Sequence, residues 1–149
     1  MFRKKYPPIG SISIKDNWGI SQGVYEDKVA FIRINSGLKE LARHPEYAHQ
    51  VGIAVPLNSP NEHGLPESAE GEELGIIEDH LLDSLEIDNE SLFVGVITTG
   101  GMREFVFYTS NPDQVVNKFK TIQGLVSTHE LQLMIQLDKD WRTFKNLLG

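Results

Sequence analysis

Chemistry in this chain would have to come from its carboxylates and from five histidines: His44, His49, His63, His80 and His129. There is no cysteine, which removes thiolate nucleophiles, thiolate metal ligands and disulfides. Only His63, beside Glu62, and His80, after Glu78 and Asp79, stand among acids. Neither belongs to an H-x-x-x-H or H-E-x-x-H ligand set. Successive helix residues point roughly 100° apart, so Glu78, Asp79 and His80 do not converge on one ion. The sequence therefore assigns no metal ligand and no cofactor, and His80 reads as a half-buried helix histidine. The polar loop "NSPNEHGLPES" is the other place to look. Glu62, His63 and Gly64, with Glu78 from the helix that follows, would make the site of a small metal-assisted hydrolase. The same turn formers also serve simply to shape the entry to that helix. No P-loop or Rossmann glycine pattern is present, and no catalytic residue is assigned. Glu104, next to Arg103, reads as half of an ion pair in or beside a sheet and not as a general base.

The stretch "TTGGMREFVFYTS" raises a different chemistry, since an aromatic strand is a platform for stacking RNA bases. "GMREFVFY" has a passing likeness to the ribonucleoprotein pattern of the RNA-recognition motif. Arg103 stands where the first stacking aromatic belongs, and "VGIAVPL" offers no second one. Nucleic acid is therefore not an expected partner, and "REFVFY" reads as a core strand. Its alternate residues, Phe105 with Phe107 and Val106 with Tyr108, take opposite faces.

Charge is distributed unevenly. The formal net charge is −7. Residues 61–90 contain eleven acids and no Lys or Arg, whereas the rest of the chain has ten acids and fourteen bases. Such a surface repels phosphate backbones and attracts basic partners. The bland reading is a solvated acidic helix that aids solubility. The favoured one is a non-enzymatic binding or regulatory module. In it Glu72, Asp79, Asp83 and Glu86 present an acidic helix face to a basic protein partner. A homodimer paired through a sheet face is a third reading.

The elements that must position these residues follow from pattern. Residues 1–15, broken by Pro7-Pro8 and Gly10, read as a flexible N-terminal arm before a single domain over 16–149. Two β-rich runs, Trp18–Tyr25 and Lys28–Ile34, form a hairpin around Glu26-Asp27. Ser36 caps a short helix that Pro45 stops. Val51, Ile53, Val55 and Leu57 alternate as in a strand. Leu74, Ile77, Leu81 and Leu85, at spacings of 3, 4 and 4, mark a helix over about 68–86. "SLFVGVITT" and "REFVFYTS" form a second hairpin across Gly100-Gly101. Asn111, Pro112, Asp113 and Gln114 open the next helix. "LQLMIQLD" is a further strand, and "DWRTFKNLLG" a short closing helix capped by Asp138 or Asp140. The fold class is α+β: a ferredoxin-like β-α-β-β-α-β sandwich with an N-terminal β-hairpin and a short C-terminal helix. With no secretory leader and no apolar run of membrane length, the expected setting is the cytoplasm.

The early "W-G" strand, "HGLPES" before "LGIIEDHLLDSL", the hairpin "VGVITTGGMREFVFYT" and the closing "LDKDW" are shared marks. Through them the chain, over roughly residues 16–146, resembles an uncharacterised bacterial family of domains of unknown function. That family looks related in fold to the regulator of ribonuclease E activity, type B. The resemblance implies the ferredoxin-like fold and regulation by binding another protein. It implies no catalytic residues.

Overall fold

A computed structural model of the chain describes residues 5–149, except for the side chain of Tyr25. Six strands form one antiparallel sheet: β1 (Trp18–Tyr25), β2 (Lys28–Asn35), β3 (His49–Pro56), β4 (Ser91–Thr99), β5 (Met102–Thr109) and β6 (Gln132–Leu137). Their order across the sheet is β1-β2-β4-β5-β3-β6. Three α-helices accompany them: α1 (Ser68–Leu85), α2 (Pro112–Leu125) and α3 (Arg142–Leu148). The N-terminal hairpin extends the sheet at one end, with Ala30–Ile34 of β2 paired to Gly95–Thr99 of β4. The fold is thus α+β on a six-stranded sheet, a larger arrangement than a simple four-stranded sandwich. Among the described residues no helix is long and apolar enough to cross a membrane.

Local chemistry explains the elements. The β1–β2 turn places Glu26 and Asp27 at φ 50° and 65°, the positive values that a two-residue hairpin loop of matching twist requires. The second hairpin uses Gly100 and Gly101 for the same purpose, at φ 58° and 80°. Asn111 caps α2 by accepting from Gln114 N at 3.2 Å, and Pro112 follows at the first helical position. The short helix after β2 is a 3-10 turn, Ser36–Leu41. Its cap is Asn35, which accepts from Gly37 N, and not Ser36.

Both faces of the sheet are packed, which resolves the aromatic strand. Phe105 and Phe107 lie with Val51, Ile53, Val55 and Val96 beneath Leu74, Ile77, Leu81 and Leu85 of α1 and Val115, Phe119 and Ile122 of α2. Val106 and Tyr108 lie on the other side among Leu38, Leu41, Tyr47, Trp141, Phe144 and Leu147. The chain's own C-terminal helix and 3-10 segment thus fill the centre of that second face. Asp138 holds the helix there, accepting from Arg142 N at 2.9 Å, Thr143 N at 3.2 Å and the Tyr108 hydroxyl at 2.7 Å. Burial would raise its carboxyl, but these hydrogen bonds hold it below the usual range. The Trp141 ring stacks on Tyr108 at 4.0 Å and donates from Nε1 to Tyr47 O at 2.9 Å. Ile9, Ile12 and Ile14, in the segment expected as a loose arm, pack against the same cluster. His44 Nε2 donates to Pro7 O at 2.8 Å.

Candidate functional site

The six-stranded sheet is wider than its helical layer. The hairpin therefore overhangs beside α1, and the notch between them is a cleft of about 310 Å³. That is at the small end of ligand-sized pockets. Ile14, Asp16, Trp18, Arg33, Asn35, Leu38, Glu78, Leu82, Glu86 and Phe93 line it.

The helix divides into three stripes along its length, spaced by three or four residues. Glu70, Leu74, Ile77, Leu81 and Leu85 are buried. One residue on, Glu78, Leu82 and Glu86 turn toward the cleft. One further, Glu72, Ile76, Asp79 and Asp83 are exposed. From β2, Arg33 reaches Glu78 through its two terminal guanidinium nitrogens, with the longer Nη1–Oε2 contact at 3.5 Å. Its guanidinium carbon sits 5.9 Å from the Trp18 ring centroid. Trp18 in turn rests on Phe93 at 5.0 Å and keeps 37% of its surface in solvent.

Asp16 is aimed by its neighbours. Asn35 is 1% exposed, and its Oδ1 accepts from Asn17 N at 2.9 Å and Gly37 N at 3.1 Å. Its Nδ2 donates to Asp16 Oδ1 at 3.1 Å. Gly37 is required for this crossing, because a Cβ there would stand 1.6 Å from Lys15 O. Partial burial, together with the charge of Asp16, raises the Glu86 carboxyl, while a Phe93 backbone hydrogen bond lowers it. Among the described residues no Lys or Arg forms an ion pair with Asp16 or Glu86.

The sites expected from sequence are divided by this geometry. Glu72, Asp79 and Asp83 share the solvent stripe, with Ile76 in its middle at 59% exposed. Glu86 leaves that group for the cleft. Glu62, His63 and Gly64 stay together in the 58–67 loop, where His63 Nε2 lies 3.4 Å from Glu62 Oε1. Gly64, at φ 76°, braces the second hairpin by accepting from Gly101 N at 2.9 Å. Glu78 does not join them, since it is engaged by Arg33. Among the described residues no cluster of three His, Asp or Glu could hold a metal ion. Among the described residues Glu104 forms no ion pair, unlike the expectation from sequence. Arg103 takes the opposite face and donates to Thr98 Oγ1 at 2.9 Å, while burial raises the Glu104 carboxyl.

Two residues that sequence reasoning passed over form the most buried acid–base pair among the described residues. His129 donates from Nε2 to Glu70 Oε2 at 2.6 Å, and both side chains are almost fully buried. Glu70 also accepts from Asn58 N at 2.6 Å and Ser59 N at 3.1 Å. Burial would raise its carboxyl, but these bonds and the histidine hold it below the ordinary carboxylate range. Every acceptor oxygen of Glu70 faces chain and not solvent, so the pair fastens the 58–67 loop to α1 and to the segment before β6.

The family model for DUF695, a family of unknown function, matches residues 16–148. The chain belongs to that family. The matched span begins at Asp16 and takes in every cleft residue except Ile14. No curated protein and no solved structure matches the chain.

Proposed function

We propose that this protein is a non-enzymatic binding module that docks a basic protein partner along α1. One observation carries the reading. The exposed stripe Glu72, Ile76, Asp79 and Asp83 runs beside a cleft in which Arg33 pairs with Glu78 while two further carboxylates, Asp16 and Glu86, have no basic partner among the described residues. The half-exposed Trp18 ring, with Arg33 over it and Phe93 against it, offers apolar contact to the stem of an incoming Arg or Lys. Ile76 supplies the apolar contact that acidic residues alone do not give. Reversing Asp79 and Asp83 to Lys should abolish docking of a basic partner captured from the host, measured as loss of binding by the purified pair. Unchanged partners and affinity would overturn the reading.

The same reading takes β3, α1, β4, β5, α2 and β6 as a ferredoxin-like unit to which the N-terminal hairpin is added. The order β4-β5-β3-β6, antiparallel throughout, supports it. A cytoplasmic setting and kinship in fold with the regulator of ribonuclease E activity, type B, belong to this proposal. Kinship of fold would not by itself carry that regulator's partner to this chain.

A further inference from the structure

We infer that the partner enters as an extended basic peptide segment. It adds a strand to the outer edge of β1, which no other described strand pairs, and sends an Arg or Lys side chain into the Asp16–Glu86 cleft. This rests on the binding-module reading and supplies its mode. The two-residue turn at Glu26-Asp27 makes Tyr25 and Lys28 the closing hydrogen-bonded pair. Alternation then points the N–H and C=O groups of Tyr25, Gly23, Ser21 and Gly19 toward β2. Those of Val24, Gln22, Ile20 and Trp18 point outward. The phase is independently fixed on β2, where Val29 O accepts from Thr99 Oγ1 at 2.8 Å and so faces β4, away from β1.

Sheet edges are normally blunted by charge, proline or a covering segment. β1 reads WGISQGVY, with no charge and no proline. The residues that offer free backbone also carry side chains on the helix-layer face of the sheet. Ile20 and Val24 are each 74% exposed there, and Val29 and Phe31 of β2 continue the apolar patch. Acids flank this neutral strand at both ends: Asp16 with Glu86 at one, Glu26 with Asp27 at the other. An edge that is uncharged along its length, with aliphatic side chains at Ile20 and Val24, and that has acids at its ends complements an extended segment with alternating aliphatic and basic residues.

The test uses a labelled synthetic peptide of alternating arginine and valine and its backbone N-methylated form, with the intact protein. Salt-sensitive binding is expected for the first, weaker by about tenfold or more for the second. Gln22→Pro removes one outward N–H while sparing the β1–β2 ladder, so it should cost a similar factor. Gln22→Thr should bind as the native protein does. The N-methylated peptide keeps the test valid should the proline variant fold poorly. Absence of peptide binding, or equal binding by both peptides and by Gln22→Pro, would overturn strand addition. If that equal binding were still lost in the Asp79→Lys/Asp83→Lys variant, docking on α1 would stand without it. Binding that ignores salt and those charge reversals would instead remove the acidic-face reading itself. Self-association of the free protein, abolished by Gln22→Pro, would assign the edge to a second copy and overturn the peptide assignment.

Discussion

At the scale of single residues, the fold depends on a few polar groups placed where sequence pattern alone suggests solvent or turn. Glu70 is one acid among eleven in residues 61–90, yet it is 6% exposed and bonded to His129. Replacing Glu70 by Gln should cost about 2–4 kcal/mol of folding stability, because His129 and two backbone N–H groups lose a charged acceptor. The pH dependence has a definite sign. The folded carboxyl is depressed, so its contribution is complete above the unfolded value of about 4.3 and is lost as pH falls through the folded one. Asp138 acts in the same direction. Urea unfolding from neutral pH into the acid range should therefore show a shallower loss of stability in Glu70→Gln than in the native protein. Equal slopes would contradict the role assigned to the pair. Gly37 acts by having no side chain. Gly37→Ala should lower the melting temperature and weaken partner binding together, since the displaced Lys15 carbonyl carries Asp16 with it. An unchanged crystal position of Asp16 in that variant would refute this coupling.

At the scale of elements, much was readable because period and punctuation agree. The hairpin Trp18–Tyr25 with Lys28–Asn35 follows from two β-rich runs around a two-residue turn. The spacing of Leu74, Ile77, Leu81 and Leu85 marks the buried stripe of α1, and Asn111-Pro112 marks the start of α2. That same stripe, extended back one turn, arrives at Glu70, which was the available signal for its burial. His129 gave no comparable signal, because its partner is 59 residues away. Nor did the cleft, whose walls belong to β1, β2, β4 and α1 and meet only when the sheet is assembled. The extent of the sheet was likewise hidden, since local pattern finds the hairpin but does not say that β2 pairs with β4. Gly71 and Gly75 weaken the first turns of α1, and a Cβ at either would meet no atom within 4 Å. Gly75→Ala should stabilise the protein by about 0.5–1 kcal/mol in denaturant titration. Destabilisation would mean that the exposed side of α1 is more closely packed than described.

At the scale of the whole molecule, the two faces of the sheet differ in how they are covered. Its far side is closed by α3, the 3-10 turn and residues 9–14, locked by Tyr108, Asp138 and Trp141. Its helix side is left incomplete beside α1, where the apolar hairpin, the cleft and the acidic stripe adjoin. A closed face gives rigidity, and an open, charged face gives a place to dock. The proposed association with a basic partner should weaken as salt rises, because exposed acids act through water. The decisive measurement is affinity capture from host lysate at low and moderate salt, with the native protein beside the Asp79→Lys/Asp83→Lys variant. Recovery of a basic protein that salt releases and the variant does not retain is the expected result. Capture of the same proteins by both forms, indifferent to salt, would contradict the acidic docking face.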